Sequence, residues 1–291
     1  MSTTQTPSLH SPTIGVFDSG FGGLTVLRAL IARLPQARFA FIGDTARLPY
    51  GSKSRRTIAR YAVESTQFLV DEQDAEFLVI ACNTASALAL DAIHEAVPVP
   101  VLGVIEPGAA TARAASQTGD VLVIATDATV QSHAYATACS ALGLRALEKA
   151  CPLLVPLVEE GWIDHPVTEQ VFRIYLDQLL GEATAKGMQP DTLVLGCTHY
   201  PLLRPMIERV VPAEMKVIDS AETAAEAAVR MVNGKLGRTL QAGSLASGAG
   251  GAGLDAQVRC FATDSVEKFE RLGSRFLGQP VGHVELVDLG G

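Results

Sequence analysis

The feature that most constrains this chain is a series of short, almost wholly apolar runs, at 13–17, 38–42, 77–81, 101–105, 121–125, 192–196, 216–218 and 258–261. Most lack the polar alternation of a half-exposed strand. They predict strands covered on both faces, the environment of a parallel sheet. Between them lie patterns with helical spacing, beginning with Leu24, Leu27, Leu30, Ile31 and Leu34. Further helices are expected over 54–71, 84–95, 130–142, 167–180, 201–210 and 221–232. Repeated strand–helix units predict an α/β fold with doubly wound parallel sheets. The 291 residues, 48% of them hydrophobic, supply core for about two domains.

An internal similarity sharpens that picture. FLVIACNTAS (77–86) matches TLVLGCTHYP (192–201) in pattern: a buried strand, a small residue, a cysteine, a polar pair, then a helix start. Two comparable halves would each present one cysteine at the carboxyl end of a strand, where open parallel sheets bind ligands. Facing halves would put Cys82 and Cys197 on opposite walls of one cleft. A helix N-terminus beside each thiol would favour the thiolate and lower its pKa. Two activated thiols across a cleft suit an acid on one face of a substrate and a base on the other. The expected architecture is therefore two pseudo-symmetric α/β domains around a cleft, 13–105 plus 219–291 and 106–218, with crossings near Glu106 and Asp219 that could act as a hinge.

Other predicted strand ends add polar groups. In DSGFGG (18–23) the glycines let the backbone approach a ligand, and Asp18 could accept a proton or bind an ammonium group. This is not a dinucleotide fingerprint, because Thr25 stands where the third glycine belongs, and no Gly-Lys-Ser/Thr follows for a phosphate loop. In GDTARLPYGSKS (43–54), Pro49, Tyr50, Gly51 and Ser52 form an expected tight turn whose N–H groups could hold a carboxylate. Lys53, Arg55 and Arg56 read as a solvated face. Thr126 and Thr129 are candidate ligand donors, with Thr129 alternatively a helix N-cap. Glu159 and Glu160 could include a buried carboxylate, and His199 stands where it could tune Cys197. The other histidines show no metal-ligand spacing, so no metal is expected. Cys139, Cys151 and Cys260 read as core thiols; with five cysteines and no Cys-x-x-Cys, free thiols are expected rather than disulfides.

Composition excludes several classes. A net charge of −8 argues against a dedicated nucleic-acid binder. No charge-free stretch is long and apolar enough to cross a bilayer, and the polar N-terminus MSTTQTPSLHSP is not a secretory signal. A cytoplasmic protein is expected, with 1–12 a disordered tail and the Gly/Ala/Ser-rich 241–253 a flexible surface insertion.

Taken together, GVFDSGFGGLTVL, FIGDTARLPYGSKS, VIACNTAS, VLVIATDATVQS, CPLLVPLVEEG and LVLGCTHYPLL resemble the successive motifs of bacterial glutamate racemases, in family order. FATDSVEKFERLGSRFLG (261–278) is similar to that family's last region. The resemblance implies a cofactor-independent isomerase that interconverts L- and D-glutamate and supplies D-glutamate for peptidoglycan. It also implies a homodimer. By family pattern, Cys82 takes the α-proton of D-glutamate and Cys197 that of L-glutamate. Asp18 and His199 assist the thiols and lie at substrate-binding positions. Ser19, Pro49, Tyr50, Gly51, Asn83, Thr84 and Thr198 match substrate-binding positions, and Thr126, Thr129 and Glu159 a supporting shell. Two readings stay open beside this one: another two-cysteine racemase acting on aspartate or a hydantoin, and a non-catalytic amino-acid-binding protein on the same fold.

Overall fold

A computed structural model of the chain describes residues 11–236 and 257–290. The strands are β1 (Thr13–Asp18), β2 (Arg38–Gly43), β3 (Phe77–Ile80), β4 (Val101–Gly103), β5 (Asp120–Ala125), β6 (Arg145–Ala150), β7 (Thr192–Gly196), β8 (Lys216–Asp219), β9 (Val258–Ala262) and β10 (Val284–Leu286). They form two sheets, ordered β10-β9-β2-β1-β3-β4 and β6-β5-β7-β8, and every strand pair is parallel. β1, β3, β5 and β7 are buried at every position, as their unbroken apolar composition requires.

The order β2-β1-β3-β4 repeats as β6-β5-β7-β8. In each half the chain winds one way from its first strand, then returns to the other side of it. The crevice left at such a reversal is where doubly wound sheets bind ligands. Cys82 follows β3 and Cys197 follows β7, so the two thiols occupy the same topological position in their halves.

The helices are α1 (Leu24–Arg33), α2 (Arg55–Asp71), α3 (Asn83–Leu88), α4 (Leu90–Ala96), α5 (Ile105–Ala115), α6 (Asp127–Ser132), α7 (Ala134–Ala141), α8 (Leu154–Glu159), α9 (Pro166–Ala185), α10 (Arg204–Val210), α11 (Ser220–Leu236) and α12 (Val266–Leu277). α11 lies in the seam, against α1 and α5 and touching strands of both sheets. Its start is capped by Asp219, whose Oδ1 accepts from the N–H groups of Ala221 (3.0 Å) and Glu222 (3.1 Å). One apolar cluster runs through both halves, from Phe21 and Leu24 to Leu122, Leu195 and Tyr200.

Several expectations need correction. The helix expected over 84–95 is two helices that part at Ala89. Ser86 explains the break: its hydroxyl donates to Ile80 O (2.9 Å) and accepts from Val104 N (3.2 Å), tying the first segment to the sheet. The helix expected over 130–142 is interrupted at His133, which has a left-handed φ of 54°. There Glu148, from β6, accepts the Ala136 N–H (3.3 Å) and meets His133 Nδ1 (3.1 Å), so the cap arrives from across the fold. The run at 101–105 stops as a strand at Gly103, and Ile105 opens α5. The helix expected over 201–210 begins as a 3₁₀ turn at Tyr200–Leu203. The apolar runs did not include β6 and β10, whose positions are mostly half-buried or exposed. The insertion at 241–253 and residues 1–10 of the expected tail lie outside the described residues. Pro12 is not tail, because its carbonyl accepts from Arg38 N (2.9 Å).

Two glycines give a paired prediction. A Cβ on Gly43 would lie 2.1 Å from the Gly20 carbonyl oxygen, which is backbone and cannot swing aside. A Cβ on Gly181, exposed within α9, meets nothing within 4 Å. Gly43→Ala should cost about 1–3 kcal/mol. Gly181→Ala should gain about 0.5–1 kcal/mol through helix propensity. Urea denaturation of both variants checks the opposite signs.

Candidate active site

The segments after β1, β2, β3, β5, β6 and β7 converge on a cavity of ≈ 400 Å³. The first half contributes Ser19, Pro49, Tyr50, Gly51, Cys82, Asn83 and Thr84, and the second Thr126, Glu159, Cys197, Thr198 and His199. Two predicted residues do not line it: Asp18 and Thr129 are buried near the wall. Sequence reasoning omitted Phe21, Leu48, Asp127, Pro152, Val155 and Pro156, whereas Gly20 and Ser52, read there as ligand-facing backbone, do line it. Phe21, Leu48 and Asp127 adjoin residues it did find, and Pro152, Val155 and Pro156 lie in CPLLVPLVEEG, where only the two glutamates were candidates for the site. Glu160 is exposed.

Cys82 is the N-cap of α3. Its Sγ accepts from Ala85 N (3.4 Å), and its thiol donates to Ser19 Oγ (3.3 Å). Burial pushes the thiol up to about 12, with the nearby Asp18 carboxyl adding to the shift. This reverses the expected lowering: a short helix N-terminus does not offset desolvation. Asp18 is itself 1% exposed. Its Oδ2 accepts from Gly20 N (3.0 Å), while its Oδ1 has no partner among the described residues. Burial holds this carboxyl above its usual range, against the opposing pull of the Gly23 amide and His199.

Cys197 has a different setting. A turn and a 3₁₀ segment follow it rather than the expected helix start. The segment is anchored by the Tyr200 hydroxyl, which donates to the carbonyls of Ala125 (3.2 Å) and Cys151 (3.1 Å). The thiol lies 3.9 Å from His199 Nδ1, and His199 Nε2 lies 3.2 Å from Glu159 Oε1. Burial alone would discharge the imidazole, but Cys197 and Glu159 outweigh it and push His199 up to about 10. Glu159 is held below its usual range: burial opposes ionisation, but His199 and then Lys268, 3.9 Å away, prevail. Phe276 packs edge-on to the His199 ring at 5.0 Å and fixes its plane. One thiol thus sits beside a cation, the other beside a hydroxyl and a carboxyl.

The polar wall is preorganised. The hydroxyls of Thr84, Thr126 and Thr129 form a triangle, Thr84 3.0 Å from Thr126 and 3.2 Å from Thr129, with Thr126 and Thr129 3.0 Å apart. Thr126, not Thr129, is the N-cap of α6. The Tyr50 hydroxyl donates to the buried carboxylate of Asp44, which also takes Arg47 Nε and the Thr263 hydroxyl. That anchors the Pro49–Gly51 turn and leaves its backbone to the cleft.

Comparisons place this geometry among known proteins. Residues 16–228 match the Asp/Glu/hydantoin racemase family. The chain is 53% identical to the glutamate racemase of Koribacter versatilis, over 98% of this chain and 100% of the relative. It superimposes on a glutamate racemase isoform from Bacillus anthracis with TM-score 0.82 and 36% identity, covering 97% of this chain and 99% of the other. It also superimposes on the Francisella tularensis glutamate racemase in complex with D-glutamate, with TM-score 0.80 and 34% identity over 97% and 99% of the two chains.

The His199 pair predicts a pH dependence of stability. Its folded pKa, about 10, lies above the ordinary 6.5. The stabilisation is therefore complete below 6.5 and is lost as pH rises through about 10. Wild-type denaturation midpoints should fall across that window more steeply than those of His199→Gln. Glu159→Gln should move the fall to lower pH. Equal slopes for wild type and His199→Gln would sink the assignment.

Proposed function

Because the chain belongs to the Asp/Glu/hydantoin racemase family, and within it groups with the glutamate racemases, we propose that it interconverts L- and D-glutamate without a cofactor. The observation that carries this reading is the pair of cysteines at equivalent strand ends of two like-ordered sheets, both lining one cavity.

Inverting a stereocentre through a planar carbanion needs deprotonation on one face and reprotonation on the other. With L-glutamate, the Cys197 thiolate takes the α-proton and becomes a thiol. The C–H electron pair passes into the planar carbanion. Cys82, held as a thiol by burial, gives its proton to the opposite face and leaves as a thiolate. The D-to-L direction runs the same steps backwards. His199, cationic at ordinary pH, stabilises the Cys197 thiolate. Asp18 stands where it can assist proton exchange at Cys82. The α-proton of a free amino acid is weakly acidic, so preorganised donors must hold the developing charge. Asn83, Thr84 and Thr198 line the cavity and are the donors we assign to it.

The activity would supply D-glutamate for peptidoglycan. We place the enzyme in the cytoplasm as a homodimer, with no nucleic-acid or membrane partner, and read 13–105 plus 219–291 and 106–218 as bodies that close on substrate. No helix among the described residues is long and apolar enough to cross a membrane.

Incubation with L-glutamate in D2O, without added cofactor, should yield D-glutamate carrying α-deuterium. Cys82→Ala and Cys197→Ala should each lower racemisation by at least about 10³-fold while the protein stays folded. Wild-type-like turnover in either variant would refute the two-thiol mechanism.

A further inference from the structure

One buried side chain touches the surroundings of both thiols. Tyr135, on α7 in the second half, is fully buried. Its hydroxyl crosses the seam and donates to Asn83 Oδ1 at 2.7 Å, beside Cys82. Its ring lies between two glycines. A Cβ at Gly196, the residue before Cys197, would meet ring atom Cε2 at 2.9 Å; one at Gly108 would meet Cε1 at 3.3 Å. The ring is thus clamped by backbone, and its hydroxyl has no freedom to follow a moving partner.

The consequence falls on Asn83. An amide side chain can present either its oxygen or its NH2 group in a given direction, and the network decides which. Burial, then the neighbouring Cys139 and Cys197 thiols, push the Tyr135 phenol well above its ordinary pKa, so it stays a donor. A buried O–H requires an acceptor. Only the amide oxygen of Asn83 provides one, so Oδ1 turns towards Tyr135. The NH2 group then faces the other way: one N–H reaches Ser220 Oγ at 3.4 Å, and the second is left for the cavity that Asn83 lines.

We propose that Tyr135 is a positioning residue that locks Asn83 with its N–H towards the cavity, where it donates to a carboxylate of the substrate. The substrate's identity rests on the glutamate racemase reading above; the lock itself does not. Without the hydroxyl, Asn83 can turn over and present its oxygen, which repels a carboxylate.

The test is Tyr135→Phe, which keeps the clamped ring. Its Tm should stay within about 5 °C of wild type. The KM for both glutamate enantiomers should rise about tenfold, and kcat should fall as well, because Asn83 is among the donors that hold the developing charge. In an Asn83→Ala background the same change should add less than about twofold. An unchanged KM, or a full effect in both backgrounds, overturns the proposal; a merely structural tyrosine would give the latter. Asn83→Asp supplies a second variant that does not depend on how Tyr135→Phe folds. It keeps the acceptor for Tyr135 but removes both N–H donors, so KM should rise at least about tenfold. Wild-type KM in Asn83→Asp overturns the donor assignment. The lock can also be read without substrate. The Asn83 side-chain NH2 resonances, assigned by their loss in Asn83→Ala, should be sharp in wild type and broadened in Tyr135→Phe. If wild type is inert on glutamate, the substrate reading fails, and the NMR result alone decides the lock.

Discussion

The site depends on how closely the Gly22 backbone approaches the side chains of Thr198 and His199. A Cβ there would lie 2.3 Å from Thr198 Oγ1 and 2.6 Å from His199 Nδ1, so the bare backbone of the loop after β1 makes room for the side chains of the turn after β7. Thr25 reinforces the contact: its hydroxyl lies 3.3 Å from Thr198 O, across the seam. At the neighbouring Gly23 a Cβ would strike Asp18 and Ala81, so the same loop is pressed onto its own half. Absent side chains let both thiols border one cavity small enough to enclose an amino acid. The run DSGFGG is therefore read less as a phosphate cradle than as clearance for the opposing half.

From that contact the electrical asymmetry follows. Two topologically equivalent cysteines have been given unlike partners. Cys197 faces an imidazole held as a cation by Glu159, while Cys82 faces Ser19 and the carboxyl of Asp18. A two-thiol racemase needs such inequality at each turnover, since one sulfur must accept a proton while the other supplies one. The pseudo-symmetry of the fold provides two equivalent placements, and the non-equivalent loops give each sulfur its own partners.

Much of this was legible in the chain. β1, β3, β5 and β7 are apolar throughout because they are covered on both faces, and their burial carries the fold. The paired cysteine motifs exposed the repeat, and most residues at the strand ends do line the cavity. What escaped was decided by distant contacts. No residue near Ala89 announces a break; the cause is Ser86 reaching Ile80 and Val104. Ser132 takes the Ala134 N–H locally, but the Ala136 N–H goes to Glu148 of β6. The direction of the Cys82 shift was missed for a related reason: local sequence shows a helix start, but not the depth at which it lies.

That depth is a consequence of the chemistry rather than a defect in it. A carbon acid as weak as an amino-acid α-C–H is matched poorly by a strongly acidic thiol, whose thiolate is a feeble base. Proton transfer is most efficient when donor and acceptor are closer in pKa. Burying Cys82 raises its pKa to about 12, so the thiolate that forms is a stronger base than an exposed cysteine would provide. The cost is that the thiolate is scarce at rest. In the proposed mechanism it is not required at rest when L-glutamate enters, because the thiolate at Cys82 is generated by the step that delivers its proton to carbon. Exclusion of water by a bound substrate would also strengthen each donor that meets the developing charge. In the proposed mechanism, the same desolvation that keeps Cys82 protonated before reaction increases the contribution of Asn83, Thr84 and Thr198 during it, and that is the step for which we propose that Tyr135 holds Asn83 in place.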